Sequence, residues 1–301
     1  MKVLITGASG FIGSCLHNSL VKKQFEVTAL MRDESLSATK NFQFLTYKEF
    51  YALGGSNEFD VVLHLAGAAH REFSDEEAKS NNEILTQSIV NKSKDLGVKR
   101  FIFLSCAGLY KERDEKVDLN TLPDNLDKNT NYFKLQAENI VKSKFSDGKG
   151  EFVILRAPLV YGEGVKANFS ALMKVVGTCF PLPFRGLNNK RSLVSVYNLI
   201  DLVELCIQHP KAANQVFLVS DDNDLSTAEM VSLMARVQNK PNLSLPLPLW
   251  CFKLIGRFLD KQDVIDRLTG TLQLDITHTK NTLDWSPPYS VEHGFKLAVR
   301  T

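Results

Sequence analysis

The stretch 3-VLITGASGFIG-13 restricts the chain more than any other. A short apolar run meets Gly7, Gly10 and Gly13, at the opening of a segment with helical spacing. Gly7 permits a tight turn, Gly10 lets the backbone approach a ligand, and Gly13 lets helix and strand pack closely. The free N–H groups and positive dipole end of such a helix suit an anion, a dinucleotide's pyrophosphate above all. No GK[ST] follows, so a nucleotide-hydrolysing P-loop is not supported.

Around that turn the apolar runs Lys2–Thr6, Glu26–Met31, Phe42–Leu45, Asp60–Ala66, Arg100–Ser105 and Glu151–Arg156 predict strands. Most are apolar nearly throughout, as in a parallel sheet covered on both faces. The segments 11–23, 75–96 and 130–145 have the 3.6-residue spacing of covering helices. This succession predicts an α/β fold, a doubly wound parallel sheet of Rossmann type, with ligands at the carboxyl ends of the strands. Beyond residue 160 the pattern loosens. Helices are expected at 165–177, 198–208, 226–238 and 248–259 and a strand at 215–219, with Ser226 and Glu229 as a capping box. Residues 1–160 therefore read as a dinucleotide-binding domain and 161–301 as a smaller substrate-binding part, the chain interleaving between them.

Composition narrows the class. The 301 residues are 44% hydrophobic, enough for a large core, and 36 basic against 34 acidic residues leave scattered charges and no case for nucleic acid. The five cysteines are odd in number and form no CxxC, which fits reduced thiols in a cytoplasmic protein and neither disulfides nor a metal site. MKVLITGASG has no signal-peptide pattern, and no run of about 18 apolar residues predicts an integral membrane segment. The apolar 245-LPLPLWCFKLIGRFL-259 is broken by Pro246, Pro248, Lys253 and Arg257 and reads as a buried or subunit-facing helix, with a membrane-surface helix as the alternative.

The end of the second strand, 27-VTALMRD-33, bears on the cofactor. An acidic residue there would accept from the adenosine ribose and repel a 2′-phosphate. Met31 holds that place and Arg32 follows, a guanidinium suited to phosphate, so NADP(H) is expected ahead of NAD. The alternative is a surface Arg32 with no ligand.

TGASGFIG, 60-DVVLHLAG-67, Asn82 with Thr86, 101-FIFLSCAGLY-110, 134-KLQAE-138 and 155-LRAPLVYGEG-164 together resemble the extended short-chain dehydrogenase/reductase family of nucleotide-sugar epimerases, dehydratases and 4-ketoreductases. The resemblance continues through 190-KRSLVSVYNLIDLV-203 and 282-TLDWSPP-288 and covers nearly the whole chain. It is nearest in character to bacterial UDP-N-acetylhexosamine 4-ketoreductases and epimerases of O-antigen and capsule synthesis. The resemblance implies that Gly7, Ser9, Gly10, Phe11, Ile12 and Gly13 form the pyrophosphate turn. Leu65, Ala66, Gly67, Pro158 and Lys134 would lie along the rest of the dinucleotide. Asn168 and Arg191 would hold a nucleotide diphosphate, the alternatives being a helix or turn cap and a surface ion pair, with Tyr110 also on the substrate side, and Arg156 and Tyr161 would brace the fold. A homodimer through 75–96 and 130–145 is implied as well.

Members of the family move hydride at a sugar carbon with a serine, a tyrosine and a lysine four residues after the tyrosine. Lys134 fills the lysine position, but the serine slot falls on Cys106, and the tyrosine slot on Thr130. A thiol is the weaker donor, and an aliphatic hydroxyl does not ionise near neutrality. Tyr132 stands about 200° around the helix from Lys134, so it reaches the site only if the helix starts late. Tyr110 and ordered water are the other proton sources. The first expectation is NADPH-dependent reduction of a UDP-4-keto-6-deoxy-N-acetylhexosamine in surface-polysaccharide precursor synthesis. The alternatives are a nucleotide-sugar 4-epimerase, or a protein that binds both ligands and turns over little.

Overall fold

Strand β1 (Lys2–Thr6) is central because Val3 to Thr6 are buried on both faces of the sheet. The computed structural model describes residues 1–32, 43–55, 58–67, 73–124, 130–165, 168–178, 180–258 and 262–299, apart from the side chains of Asn168, Ile255 and Asp263. After β1 come α1 (Phe11–Lys22), β2 (Glu26–Met31), β3 (Phe44–Thr46), α2 (Tyr47–Ala52) and β4 (Val61–His64). The chain continues through α3 (Asp75–Ala78), a π-helical turn (Lys79–Ile84), α4 (Leu85–Asp95), β5 (Arg100–Cys106), α5 (Thr130–Lys144) and β6 (Glu151–Ala157). The later elements are β7 (Leu159–Tyr161), α6 (Asn168–Gly177), β8 (Leu193–Ser195), α7 (Val196–Gln208), β9 (Gln215–Leu218) and α8 (Thr227–Val237), followed by α9 (Leu249–Phe258), α10 (Gln262–Thr269), α11 (Thr277–Leu283) and α12 (Val291–Ala298).

The seven-stranded sheet has the order β3-β2-β1-β4-β5-β6-β9, every pair parallel. Side chains that alternate across it feed two cores. One holds Val3, Ile5, Leu63, Ile102 and Leu155 with Leu199 and Val203 of α7. The other holds Leu4, Val62, Phe101, Phe103 and Ile154 with Ile89 of α4 and Ala137 and Val141 of α5. This is the doubly wound α/β fold that the sequence predicts.

Strand β9, from beyond residue 160, completes the sheet beside β6, while a third core gathers Tyr161, Phe169, Met234 and Phe295 in the second part of the chain. Its rim is pinned where Tyr161 donates to Asp221 Oδ2 at 2.6 Å, and Asp221 Oδ1 accepts from Ser195 N and Asn198 Nδ2. Burial pushes both the phenol and the carboxyl up from their ordinary values. Tyr161 is a brace, as the resemblance implies.

Two differences from the sequence reading concern local geometry. The single helix expected over 75–96 is interrupted by the π-helical turn, whose wider winding places Asn82 inside it and buries that side chain. The β7–β8 pair is missed because three-residue strands carry too little alternation to register. The capping box at Ser226 and Glu229 forms as expected, and two more, Thr46 with Glu49 and Ser74 with Glu77, follow the same rule. Part of the expected strand from Phe42 lies outside the described residues. Among the described residues no helix is long and apolar enough to cross a membrane, no acidic, His and Cys side chains cluster to hold a metal, and four cysteines are free thiols.

Candidate functional site

In a doubly wound sheet ligands bind where the strand order reverses, here between β1 and β4. Both strands end at the same crevice. Gly7 turns there with φ +75°, and a Cβ on it would stand 2.8 Å from Ala66 N. A Cβ on Gly13 would meet Gly7 O at 2.1 Å, so α1 packs on the turn only with glycine at that position. At Gly10 the single near atom is Gly7 O at 3.2 Å, which leaves its outer side open for a ligand's close approach. Ser9 and Gly10 are exposed, Phe11 and Ile12 half-buried. Every feature of the turn fits a pyrophosphate at the N-terminus of α1.

On the opposite side of the crevice Leu65 and Ala66 are half-buried and Gly67 is exposed. A Cβ on Gly67 would lie 2.7 Å from Asn82 Oδ1 and 3.9 Å from Lys134 Cε. The residue after β4 that the resemblance assigns to the cofactor is therefore flanked by the lysine from α5 and the amide from the π-helical turn. Lys134 is only 9% exposed. One turn further on, Glu138 is wholly buried and accepts from Arg156 Nε at 3.0 Å and Nη2 at 2.7 Å, which fixes the rotation of α5 against β6.

Beside Lys134 the strand tip of β5 carries Cys106. Its thiol donates to Asn131 Oδ1 at 3.5 Å, and Asn131 also covers Gly108. Burial raises the thiol's pKa while the Lys134 charge draws it down, the burial effect being the larger. Ser105, one residue earlier, is buried with its Oγ unpartnered among the described residues. Thr130 opens α5, half-buried, one residue before Asn131.

The stand-in tyrosines fare differently from expectation. Helix α5 is already formed at Thr130, so the late start that would bring Tyr132 to the site does not occur, and Tyr132 instead packs edge-on to Phe133 with ring centroids 5.2 Å apart. Tyr110 is only 4% exposed, and its hydroxyl accepts from Arg156 Nη1 at 2.5 Å. The structure thus puts that hydroxyl in the buried Arg156–Glu138 cluster, where burial raises the phenol's pKa.

Of the remaining expected residues, Pro158 is half-buried between β6 and β7. Arg32, exposed at the tip of β2, donates to Asn81 Oδ1 at 3.2 Å. Asn168 begins α6, and its side chain lies outside the described residues. Arg191 Nη1 donates to Glu112 Oε1 at 2.9 Å and to Gly270 O at 3.1 Å. Glu112, Asn131 and His64 are neighbours of the site that the sequence reading did not single out. Only His64 left a signal, as a polar residue inside an otherwise apolar strand.

The arrangement defines a dinucleotide-binding α/β protein with a buried lysine beside its crevice. The chain belongs to the NAD dependent epimerase/dehydratase family, whose model matches residues 3–220. It is 42% identical over 317 aligned residues to UDP-glucose 4-epimerase of Vibrio cholerae, covering 99% of this chain and 94% of that protein. UDP-glucuronic acid 4-epimerase from Bacillus cereus, in complex with NAD, superposes with a TM-score of 0.79 at 21% identity over 100% of this chain and 98% of that one. UDP-N-acetylglucosamine 4-epimerase from Bacillus cereus gives 0.80 at 18% identity over 98% and 97%. The family is described as NAD dependent, which lends no support to the NADP(H) preference read from Arg32.

Proposed function

We propose that the chain is an NAD-dependent 4-epimerase of a UDP-linked hexose. The observation that carries this reading is the 42% identity, from end to end, with a UDP-glucose 4-epimerase, in a chain that keeps the glycine turn and places Lys134 against Gly67. The dinucleotide, when bound, supplies the hydride acceptor and donor for the sugar's C4. The other tasks fall to the chain. Gly7, Ser9, Gly10, Phe11, Ile12 and Gly13 receive the pyrophosphate, and Leu65, Ala66, Gly67 and Pro158 line the way to the reactive ring. Lys134 holds the ribose and the local positive charge that favours a deprotonated sugar oxygen. Cys106 and Thr130 stand on the substrate side, the thiol oriented by Asn131. Arg191 would exchange Glu112 for the diphosphate, with Asn168 at the start of α6 as the second expected contact.

With no phenol in the tyrosine slot, proton movement at the sugar oxygen falls to a water ordered by Thr130 and Lys134. General acid–base help is worth ~10²–10⁴-fold, so turnover should be slow for a 4-epimerase. A pair of chains joined through the run from α3 to α4 and through α5 is the proposed assembly. The second reading, a protein that binds both ligands with negligible turnover, is favoured by the same two departures at Cys106 and Thr130.

The test is to supply UDP-glucose without external reductant and follow UDP-galactose by proton NMR. Its appearance supports the 4-epimerase. Loss of NADPH absorbance with UDP-4-keto-6-deoxy-GlcNAc, and no C4 inversion, would transfer the site to the 4-ketoreductases.

A further inference from the structure

His64 ends β4 beside β1 at the switch point, wholly buried, with its ring stacked on Phe103 at 5.6 Å. Its two nitrogens meet two threonines. Nδ1 lies 2.7 Å from Thr6 Oγ1 and Nε2 lies 2.9 Å from Thr86 Oγ1. Further bonds determine which way each hydrogen points. Thr86 Oγ1 donates to Asn82 O at 2.5 Å, so it is left to accept from His64 Nε2–H. The imidazole then accepts at Nδ1 from Thr6 Oγ1–H, and Thr6 Oγ1 in turn accepts from Ala66 N–H at 3.2 Å. A single directed chain runs Ala66, Thr6, His64, Thr86, Asn82.

The chain's ends are the two segments that face the crevice. Thr6 directly precedes Gly7, Ala66 is the backbone against which Gly7 turns, and Asn82 is the side chain against Gly67. A protonated imidazole would have two donors and break the order at Thr6. Burial, helped by the Lys134 charge, keeps the ring neutral, with its pKa down at about 3.

We propose that His64 is a positioning residue, a neutral strut that sets the distance between the glycine turn, the Leu65–Gly67 lip and the π-helical turn, and so the width of the dinucleotide seat. This rests on reading the crevice as the dinucleotide site. The strut acts through Ala66 and Asn82, without itself touching a ligand.

Three variants test it: His64→Leu, which removes both bonds, Thr86→Val, which keeps shape and ring but cuts the Nε2 side, and Thr6→Ser, which keeps every bond. The measurements are the Kd for NAD, the Kd for UDP and amide exchange at Ala66 without ligand. The expected result is a rise of at least ~10-fold in the Kd for NAD in the first two, with the Kd for UDP unchanged and faster Ala66 exchange in both. Thr6→Ser should match the parent chain. Folded His64→Leu or Thr86→Val protein with parental NAD affinity and Ala66 exchange would overturn the strut, as would equal losses for NAD and UDP. If His64→Leu fails to fold, Thr86→Val decides alone. A parent chain that binds no dinucleotide would refute the site reading, while the exchange rates would still decide the strut.

Discussion

The thiol of Cys106 points at the carboxamide oxygen of Asn131, 3.5 Å away, and so joins the tip of β5 to the first turn of α5 directly beside Thr130. The resemblance implies a hydroxyl and a phenol on these two elements. Here the first is a thiol, the second an aliphatic alcohol, and the amide between them holds the thiol in place.

Restoring the phenol should therefore restore acid–base chemistry. Thr130→Tyr is expected to raise kcat for C4 inversion by ~10²-fold or more, with little change in the Kd for UDP. A pH–rate profile should gain a limb that the parent chain lacks. An unchanged rate in a folded variant would show that Thr130 does not face the reacting carbon.

The Arg156–Glu138 pair sets the rotation of α5 and with it the position of Lys134. Both partners are buried, Glu138 completely. Arg156→Met would leave the buried Glu138 carboxylate with only Lys142 Nζ, 3.5 Å away, and free the Tyr110 hydroxyl, at an expected cost of about 3 kcal/mol by urea unfolding. A loss under about 1 kcal/mol would mean that α5 is held by its apolar face alone.

The glycine turn leaves no slack at Gly13. A methyl there would lie 2.1 Å from Gly7 O and 2.8 Å from Ala8 Cα, both of them backbone. Gly13→Ala should abolish measurable NAD binding and lower the unfolding midpoint. NAD affinity within threefold of the parent would contradict the fit of the turn to the pyrophosphate.

His64 also predicts an acid limb in stability. Its neighbours are Thr6, Thr86, Phe101 and Phe103, with Lys134 the charged group that acts on it. The folded value is depressed below the unfolded 6.5, so only the unfolded chain takes up this proton between about pH 6.5 and 3. Stability from this group is complete above pH 6.5 and falls by roughly 1.4 kcal/mol for each pH unit below it. Urea titrations of the parent and of His64→Gln between pH 7 and 5 should differ by that slope. Parallel curves would show that the ring takes up its proton in the fold as readily as in the unfolded chain.

The elements that were legible in the sequence are those with long repeats or obligatory residues. Apolar runs on both faces announced the parallel sheet, and Gly7 and Gly13 announced the turn, because no other residue has room there. KLQAE pointed to Lys134, which the structure buries beside Gly67. The hydrogen-bonded pairs were not: His64, Thr6 and Thr86 are far apart in the chain and meet only when β1, β4 and α4 assemble. Nor was the π-helical turn at Asn82, since one extra residue in a helical winding leaves apolar spacing nearly unaltered. Glu112 on Arg191 depends on a loop with no pattern of its own.

Epimerisation as proposed requires hydride to leave the sugar's C4 and return to the same carbon in the crevice beside Lys134. It is tested most directly with UDP-glucose carrying deuterium at C4, incubated with the purified chain and NAD and read by NMR. UDP-galactose should form slowly with the deuterium retained at C4, and Lys134→Met should give no product. Inversion with loss of the label to solvent, or no inversion in a chain that binds both NAD and UDP-glucose, would contradict it.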